Sequence, residues 1–454
     1  MRELEIYVHI PFCVRKCAYC DFLSAPAPSA EQERYVEALI REIETFPYKK
    51  EYRVSTVFLG GGTPSILAEG MIARILRAIR ENFPHREAPG EITIECNPGT
   101  ASREKLEEYR QAGINRISIG LQSADDAELA LLGRIHTWTD FLETYRLARA
   151  AGFENINIDL MSALPGQSVA SWERTLERVL ALRPEHISAY SLIIEEGTPF
   201  YQRYHEDDVR RERGDLPVSL PSEEEERAMY RLTERMVGGQ GMRRYEISNY
   251  ALPGYECRHN IGYWTGVEYV GFGLGASSLL HHTRYRNTEC MEAYLARYAR
   301  SGQDSVSLCG SGGESRGRAE EDGLFERGEE SAKKTEALSE CKTDLLRKKG
   351  TEAPSECEAE ILRESEPEAL RIRESESLSV SDEMEEFMFL GLRLISGVSE
   401  AEFARRFSRS MESVYGAVLE KLTGQGLLAR ADGRVFLTEE GISVSNLVMA
   451  EFLF

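Results

Sequence analysis

Cys13, Cys17 and Cys20 stand in the run His9-Ile-Pro-Phe-Cys-Val-Arg-Lys-Cys-Ala-Tyr-Cys-Asp21, a C-x3-C-x2-C spacing. Three thiolates so placed can converge on one soft metal centre. Structural zinc usually takes four ligands, built from Cys or His pairs repeated at a distance, and no second Cys pair follows here. An iron–sulfur cube can also be held by thiolates. With three protein ligands, one iron would stay open to a substrate or cofactor, as a reaction needs if it must deliver an electron into a bound molecule. The spacing also leaves open a partial zinc site and three unrelated thiols.

Other residues could serve such a centre. Gly60-Gly61-Gly62-Thr63-Pro64 follows a strand-like run; glycines there let a ligand approach bare backbone, or simply make a tight turn. Glu95, Gln122, Arg134 and Asp159 fall at or just after successive apolar runs. A core-facing position would demand a buried partner for each. The rim of a barrel explains all four together, although any one alone reads as ordinary strand-end capping. Cys257-Arg-His259-Asn-Ile-Gly-Tyr263-Trp264 places an imidazole among aromatics. By composition it is a core histidine or, with Cys257 as a rival, a haem-iron ligand with Tyr263 and Trp264 packed on the macrocycle.

The elements that would carry these residues alternate. Apolar runs Ile6–Ile10, Val54–Leu59, Ile92–Glu95, Ile117–Leu121, Ile156–Leu160 and Ile187–Leu192 predict buried parallel strands. Amphipathic stretches near 30–46, 70–83, 102–112, 139–151 and 168–182 predict helices, with Ala112-Gly113 and Ala151-Gly152 as stops. The class is therefore α/β. Six units with polar, Gly-rich strand ends predict a partial (β/α)6 TIM-type barrel, with chemistry at the C-terminal strand ends; a doubly wound sheet is the alternative. From 303 to 381 Glu, Ser, Gly, Lys and Arg dominate without a sustained period, which predicts a disordered acidic insert. Beyond it, short helices and a hairpin with Asp432-Gly433 at its turn predict a small winged-helix-like domain.

Composition narrows the class further. The chain has 454 residues, 42% of them apolar, enough for more than one domain. No apolar run approaches the roughly 20 residues of a membrane span. Nine cysteines and an N-terminus that runs directly into a strand-like segment predict a cytoplasmic protein without a disulfide framework. A net charge of -21 argues against a nucleic-acid partner.

Tyr7-Val-His-Ile-Pro-Phe-Cys13 and Cys17-Ala-Tyr-Cys-Asp-Phe22 resemble the radical S-adenosylmethionine (SAM) superfamily. The closer resemblance is to the branch of oxygen-independent coproporphyrinogen dehydrogenases and haem chaperones of the HemW type. It implies that Cys13, Cys17 and Cys20 hold a [4Fe–4S] cluster whose open iron chelates SAM. An electron from the cluster then breaks a carbon–sulfur bond and gives a 5′-deoxyadenosyl radical. By position, the resemblance places Tyr7, Tyr19, Gly61, Gly62, Thr63, Glu95, Gln122, Arg134, Asp159 and Ile193 around SAM. The H-N-x-x-Y-W run at 259–264 is similar to the haem-chaperone branch and implies haem b as ligand. Dehydrogenases usually carry a further Cys two residues after the third ligand, where this chain has Phe22. That departure favours a haem chaperone over an enzyme that decarboxylates coproporphyrinogen III to protoporphyrinogen IX.

The implied partners are haem, apo-haemoproteins such as respiratory-chain components, and an electron donor for the cluster. Any membrane contact would be peripheral and made through the acceptor. The expected domains are a radical SAM core barrel over 1–235, a haem-binding and barrel-closing segment over 236–302, the insert over 303–381, and the C-terminal domain over 382–454.

Overall fold

The computed structural model describes residues 1–84, 90–299 and 374–453. Its first half runs β1 (Arg2–Ile10), α1 (Ser29–Thr45), β2 (Tyr52–Gly61), α2 (Met71–Asn82), β3 (Glu91–Cys96), α3 (Arg103–Gln111), β4 (Arg116–Gln122), α4 (Asp126–Leu131), α5 (Trp138–Ala150), β5 (Ile156–Ser162), α6 (Val169–Leu180) and β6 (His186–Ser191). All six expected strands and five expected helices are present, and the short α4 is an addition. Helix starts carry strong local signals. Thr137 and Ser168 close capping boxes on α5 and α6. Gly113 and Gly152 end α3 and α5 with φ of 95° and 89°, which favours glycine.

Strands β1 to β6 pair in parallel and in sequence order. A doubly wound sheet would reverse order at a switch point, so that alternative is excluded. The sheet is an open one rather than a closed barrel, with further strands added at both edges.

Residue alternation explains what lies on each face. Leu4, Ile6, Val8 and Ile10 of β1 are fully buried in the main core with Leu39, Ile75 and Leu106 of the helices. Their neighbours Glu5, Tyr7 and His9 point to the other face, in register with Thr56, Phe58 and Gly60 of β2. Farther along the sheet the same face carries Glu91, Thr93 and Glu95 of β3, and Asn157 and Asp159 of β5. One face is thus a helix-covered apolar core and the other a buried polar interior.

The second half continues α7 (Pro199–Glu212), α8 (Glu223–Gly238), β7 (Arg243–Glu246), β8 (Asn249–Ala251), α9 (Arg258–Thr265), β9 (Tyr269–Phe272), β10 (Ser277–Leu280), β11 (Thr283–Arg286), α10 (Met291–Arg297) and β12 (Glu374–Ser377). Strands β8 and β7 extend the sheet beyond β6, whereas β9 to β12 extend it beyond β1. Helix α9 therefore crosses from one edge of the parallel sheet to the other. It does so at the N-terminal strand ends, because it meets Glu5, Thr56 and Glu91 near the starts of β1, β2 and β3. The Glu91 carboxylate accepts from the backbone N–H of Arg258 (3.0 Å) and His259 (3.1 Å), the first residues of α9.

The expected 303–381 insert lies outside the described residues except at its end. Glu374–Ser377 pairs with β11 and α11 starts at Val380, so the acidic composition overshoots the ordered boundary by several residues. The backbone ladder to β11 holds this segment without an apolar pattern, and so its order is not legible from composition. The C-terminal unit comprises α11 (Val380–Gly391), β13 (Val398–Ser399), α12 (Glu400–Phe407), α13 (Met411–Gly424), β14 (Leu428–Ala431), β15 (Arg434–Leu437), α14 (Glu439–Ser443) and α15 (Ser445–Ala450). It has its own core, including Met388, Phe403, Tyr415 and Val435. The expected hairpin is there, with Asp432 and Gly433 both at positive φ, and β13 adds a third strand.

Burial at the base makes a pH prediction. Desolvation raises Glu5 from an ordinary 4.5 to about 9, so it is neutral at pH 7. A carboxyl that binds its proton more tightly when folded loses stability as pH rises from the unfolded to the folded pKa. We predict that the melting temperature of wild type will fall relative to Glu5→Gln between about pH 5 and pH 9. Parallel pH dependences for the two proteins would refute it.

Candidate functional site

The Cys loop follows directly from β1, at the end of the sheet opposite α9. Cys13 is buried, Cys17 and Cys20 are half-buried, and none forms a disulfide. The loop is held by paired backbone contacts, Cys13 N–H to Ala25 O (3.2 Å) and Ala25 N–H to Pro11 O (2.9 Å). Desolvation pushes the Cys13 and Cys20 thiols up, and Cys17 adds like-charge repulsion to each. Among the described residues no three His, Cys, Asp or Glu side chains are gathered for a single metal ion.

The glycine run is used by the protein itself. A Cβ on Gly62 would stand 2.5 Å from the Phe12 carbonyl oxygen, and one on Gly61 2.7 Å from the His9 ring. Gly61 also has φ of 111°. The N–H of Gly61 donates to Glu95 Oε2 (3.1 Å) and that of Gly62 to Ile10 O (2.9 Å). These glycines let the Cys loop pack closely on β2, and both their N–H groups are used within the protein.

Arg134 links the rest. Its Nη2 donates to Asn97 Oδ1 (2.7 Å) and Gly120 O (2.5 Å), and its Nη1 lies 3.7 Å from Cys17 Sγ. Its Nε is buried without a partner, so a donor remains for a carboxylate. Asn97 also donates to Thr63 Oγ1 (2.7 Å). Cys13, Cys17, Thr63, Asn97, Arg134 and His136 line one cavity. Burial and the Arg134 charge push His136 down to about 4, so its imidazole is neutral.

Deeper in the interior, Gln122 accepts from the Tyr190 hydroxyl (2.8 Å). It sits at a break in the β4–β5 register with φ of 74°. Asp159 accepts from Ser118 (2.9 Å) and Asn157 (2.7 Å), and burial raises its pKa. Tyr19 is close enough to Arg134 and Asp159 to feel both charges, and Tyr7 would touch a side chain at Gly60, as would Glu95. Of the ten expected SAM-site residues, Thr63 and Arg134 line the cavity with Cys13 and Cys17, whereas Ile193 is exposed. Asn97, His136 and Tyr190 were missed. Asn97 closes the strand-end run Glu95-Cys-Asn97, which was the available signal.

The residues fit a cluster with a bound amino acid group. Three thiols supply sulfur ligands, an unpartnered buried guanidinium donor supplies a carboxylate partner, and the Glu95 carboxylate supplies an ammonium partner.

The expected haem residues are elsewhere and closed. His259 is buried on α9, with Nδ1 paired to Thr56 Oγ1 (2.7 Å) and Nε2 to the Tyr263 hydroxyl (3.0 Å). Desolvation pushes it down to about 3. Cys257 is buried against Glu91, and its thiol is pushed up to about 12. Arg393 of the C-terminal unit stacks 4.4 Å over Trp264. Neither ring nitrogen of His259 is free for iron in this arrangement, which matches the core histidine that composition suggests and departs from the haem contact that the resemblance implies. Histidine among aromatics is here a base plug.

Residues 7–179 match the radical SAM superfamily and residues 378–444 the HemN C-terminal domain. The haem chaperone HemW of Bacillus subtilis is 32% identical over 448 residues, covering 98% of each chain. That of Lactococcus lactis is 34% identical over 98% of this chain and 96% of the relative. The chain belongs to the radical SAM superfamily and, within it, to the HemW family. The HemW of Escherichia coli is 38% identical over 60% of this chain and 69% of its own. The structure of coproporphyrinogen III oxidase (HemN) from Escherichia coli aligns with a TM-score of 0.72 at 20% identity, covering 99% of this chain and 90% of that one, which shows the shared fold.

Two substitutions check the site. Gly62→Ala must displace the Phe12 carbonyl beside Cys13, so cluster content after anaerobic reconstitution should fall well below wild type, and stability by about 1–3 kcal/mol. Iron and sulfide assays are the measure, and an unchanged cluster in Gly62→Ala would contradict the packing role. Separately, Ala at Cys13, Cys17 or Cys20 should each remove most of the iron and sulfide; full occupancy in the triple variant would exclude the loop as the ligand set.

Proposed function

We propose that this chain is a cytoplasmic haem chaperone that binds haem b and delivers it to apo-haemoproteins such as respiratory-chain components. The observation that carries this reading is the end-to-end match to haem chaperones, over 98% of both chains for the Bacillus subtilis relative. Phe22, 61% exposed where dehydrogenases usually carry a cysteine, supports it against porphyrinogen oxidation. Among the described residues no helix is long and apolar enough to cross a membrane, which fits delivery from outside the bilayer.

Cys13, Cys17 and Cys20 would hold the [4Fe–4S] cluster, with an external electron donor reducing it. Bound together there, the cluster and SAM supply one-electron chemistry. The chain's own residues do the positioning. Arg134, oriented by Asn97 and the Gly120 carbonyl, offers its remaining donor to the SAM carboxylate. The Gly61–Gly62 backbone would lie against the methionyl part of SAM. Glu95, fixed by the Gly61 N–H, and Asp159 are carboxylates for amino or ribose hydroxyl groups. Gln122, Tyr7, Tyr19 and Thr63 complete the walls, and Ile193 stands at the exposed rim.

Haem titration and coproporphyrinogen III turnover on the same reconstituted protein separate the readings. The expected result is a saturable Soret band, transfer of haem to an apo-cytochrome, and no protoporphyrinogen product. Turnover without haem binding would replace the chaperone with a dehydrogenase.

A further inference from the structure

Haem presents two apolar faces, two anionic propionates and an iron that seeks an imidazole. The base of the sheet offers none of these a place, because α9 and the C-terminal unit close it. The opposite end differs. Val14 and Phe22 on the Cys loop, Ile135 after β4, Ile193 after β6, and Leu216 and Val218 between α7 and α8 are all exposed. They make up six of the ten exposed large apolar side chains among the described residues; four are on loops after C-terminal strand ends, and the loop bearing Leu216 and Val218 is tied to the segment after β5 by the Gly166 N–H to Ser219 O bond (2.7 Å). Scattered exposed apolar residues are ordinary, whereas a concentration at one functional end is not.

This rim is built rather than loose. The Asp207 carboxylate on α7 accepts from the N–H groups of Val218 (2.9 Å), Ser219 (2.5 Å) and Leu220 (3.3 Å), pinning the loop that bears Leu216 and Val218. Helix α7 starts against the Cys loop, where Phe200 N–H donates to Ala18 O (2.9 Å) and its ring packs 6.4 Å from Tyr19. Five residues on, about 7.5 Å along the helix, His205 stacks on Tyr201 at 4.9 Å. Tyr201 and Tyr204 pack on the same small apolar cluster as Ala18 and Tyr19.

Three described histidines lie at this end. His9 pairs both nitrogens, with the Tyr7 hydroxyl and Leu23 O. His136 is buried with Nε2 on Leu121 O. His205 is half-exposed, and among the described residues its ring stacks on Tyr201 but makes no hydrogen bond or ion pair. Exposed Arg15 and Lys16, beside Val14, supply charge for propionates.

We propose that haem docks on this rim, at the cluster end of the sheet, with His205 as its iron ligand, Phe22 and Ile193 against the macrocycle, and Arg15 and Lys16 near the propionates. The inference rests on the haem-chaperone reading and names the site for it. A neutral imidazole is a good haem ligand, and flat apolar contact excludes water from the iron.

Haemin titration of the reconstituted full chain tests it, with melting curves to establish that each variant folds. His205→Ala should shift the Soret band and weaken binding at least tenfold, and free imidazole should restore the wild-type spectrum. Phe22→Ser combined with Ile193→Ser should weaken binding several-fold without shifting the band. Folded His259→Ala should keep both. If His205→Ala retains the wild-type band and affinity, or if folded His259→Ala loses them, the rim assignment fails while the chaperone reading stands. If wild type itself binds no haem, the chaperone reading fails and the site with it.

Discussion

The contact between the Glu91 carboxylate and the first N–H groups of α9 determines which end of this molecule can do chemistry. It anchors a helix N-terminus, where negative charge is favourable, beneath the starts of β1 to β3. Around it Cys257, His259, Thr56 and Glu5 form a buried set whose ionisable members are pushed towards their neutral forms. Gly262 belongs to the same constraint, since a Cβ there would stand 1.9 Å from the Glu5 carboxyl. With the base closed, the C-terminal strand ends are the open end of the sheet among the described residues.

The polar interior of the sheet follows from that closure. A surface lined by Glu95, Asn97, Arg134, Asp159 and Gln122 is costly to bury unless its groups are paired. Most are, through Thr63, Gly120, Ser118, Asn157 and Tyr190. The exception of interest is Arg134 Nε, orphaned beside Cys17. Glu5 Oε2, Thr93 Oγ1 and Arg116 Nε are also buried without partners, but Arg134 is the orphan whose guanidinium touches a thiol, so it is preorganised for a charged ligand at that point.

The two ends also differ in how they treat aromatic residues. At the base, Tyr263 and Trp264 are occupied by His259 and Arg393, and they join the sheet to the C-terminal unit. At the rim, Phe22 projects into solvent while Tyr201 and Tyr204 are only partly covered. The same residue types thus act as cement in one place and as contact surface in the other. Burial decides between these roles, and a local motif does not encode it.

How much was legible in the sequence can be judged residue by residue. The six strands and five of the helices followed from apolar period, capping residues and Gly stops, because those signals act within a few residues. The thiol loop was legible because all three sulfurs lie in one short segment, and the strand-end polar residues were legible because each interrupts an apolar run. The role of Asn97 was not, since it joins Thr63 to Arg134 across two different loops. Nor was the closure of His259, whose partners include Thr56, 203 residues away in sequence. Order at Glu374–Ser377 was missed for the same reason, as its hydrogen bonds run to β11. The sequence alone determined the α/β alternation, the ligand loop and the chemical types available. Only the tertiary structure decided which end of the sheet is open and which imidazole is free, because both depend on contacts between distant segments and on burial that no local pattern records.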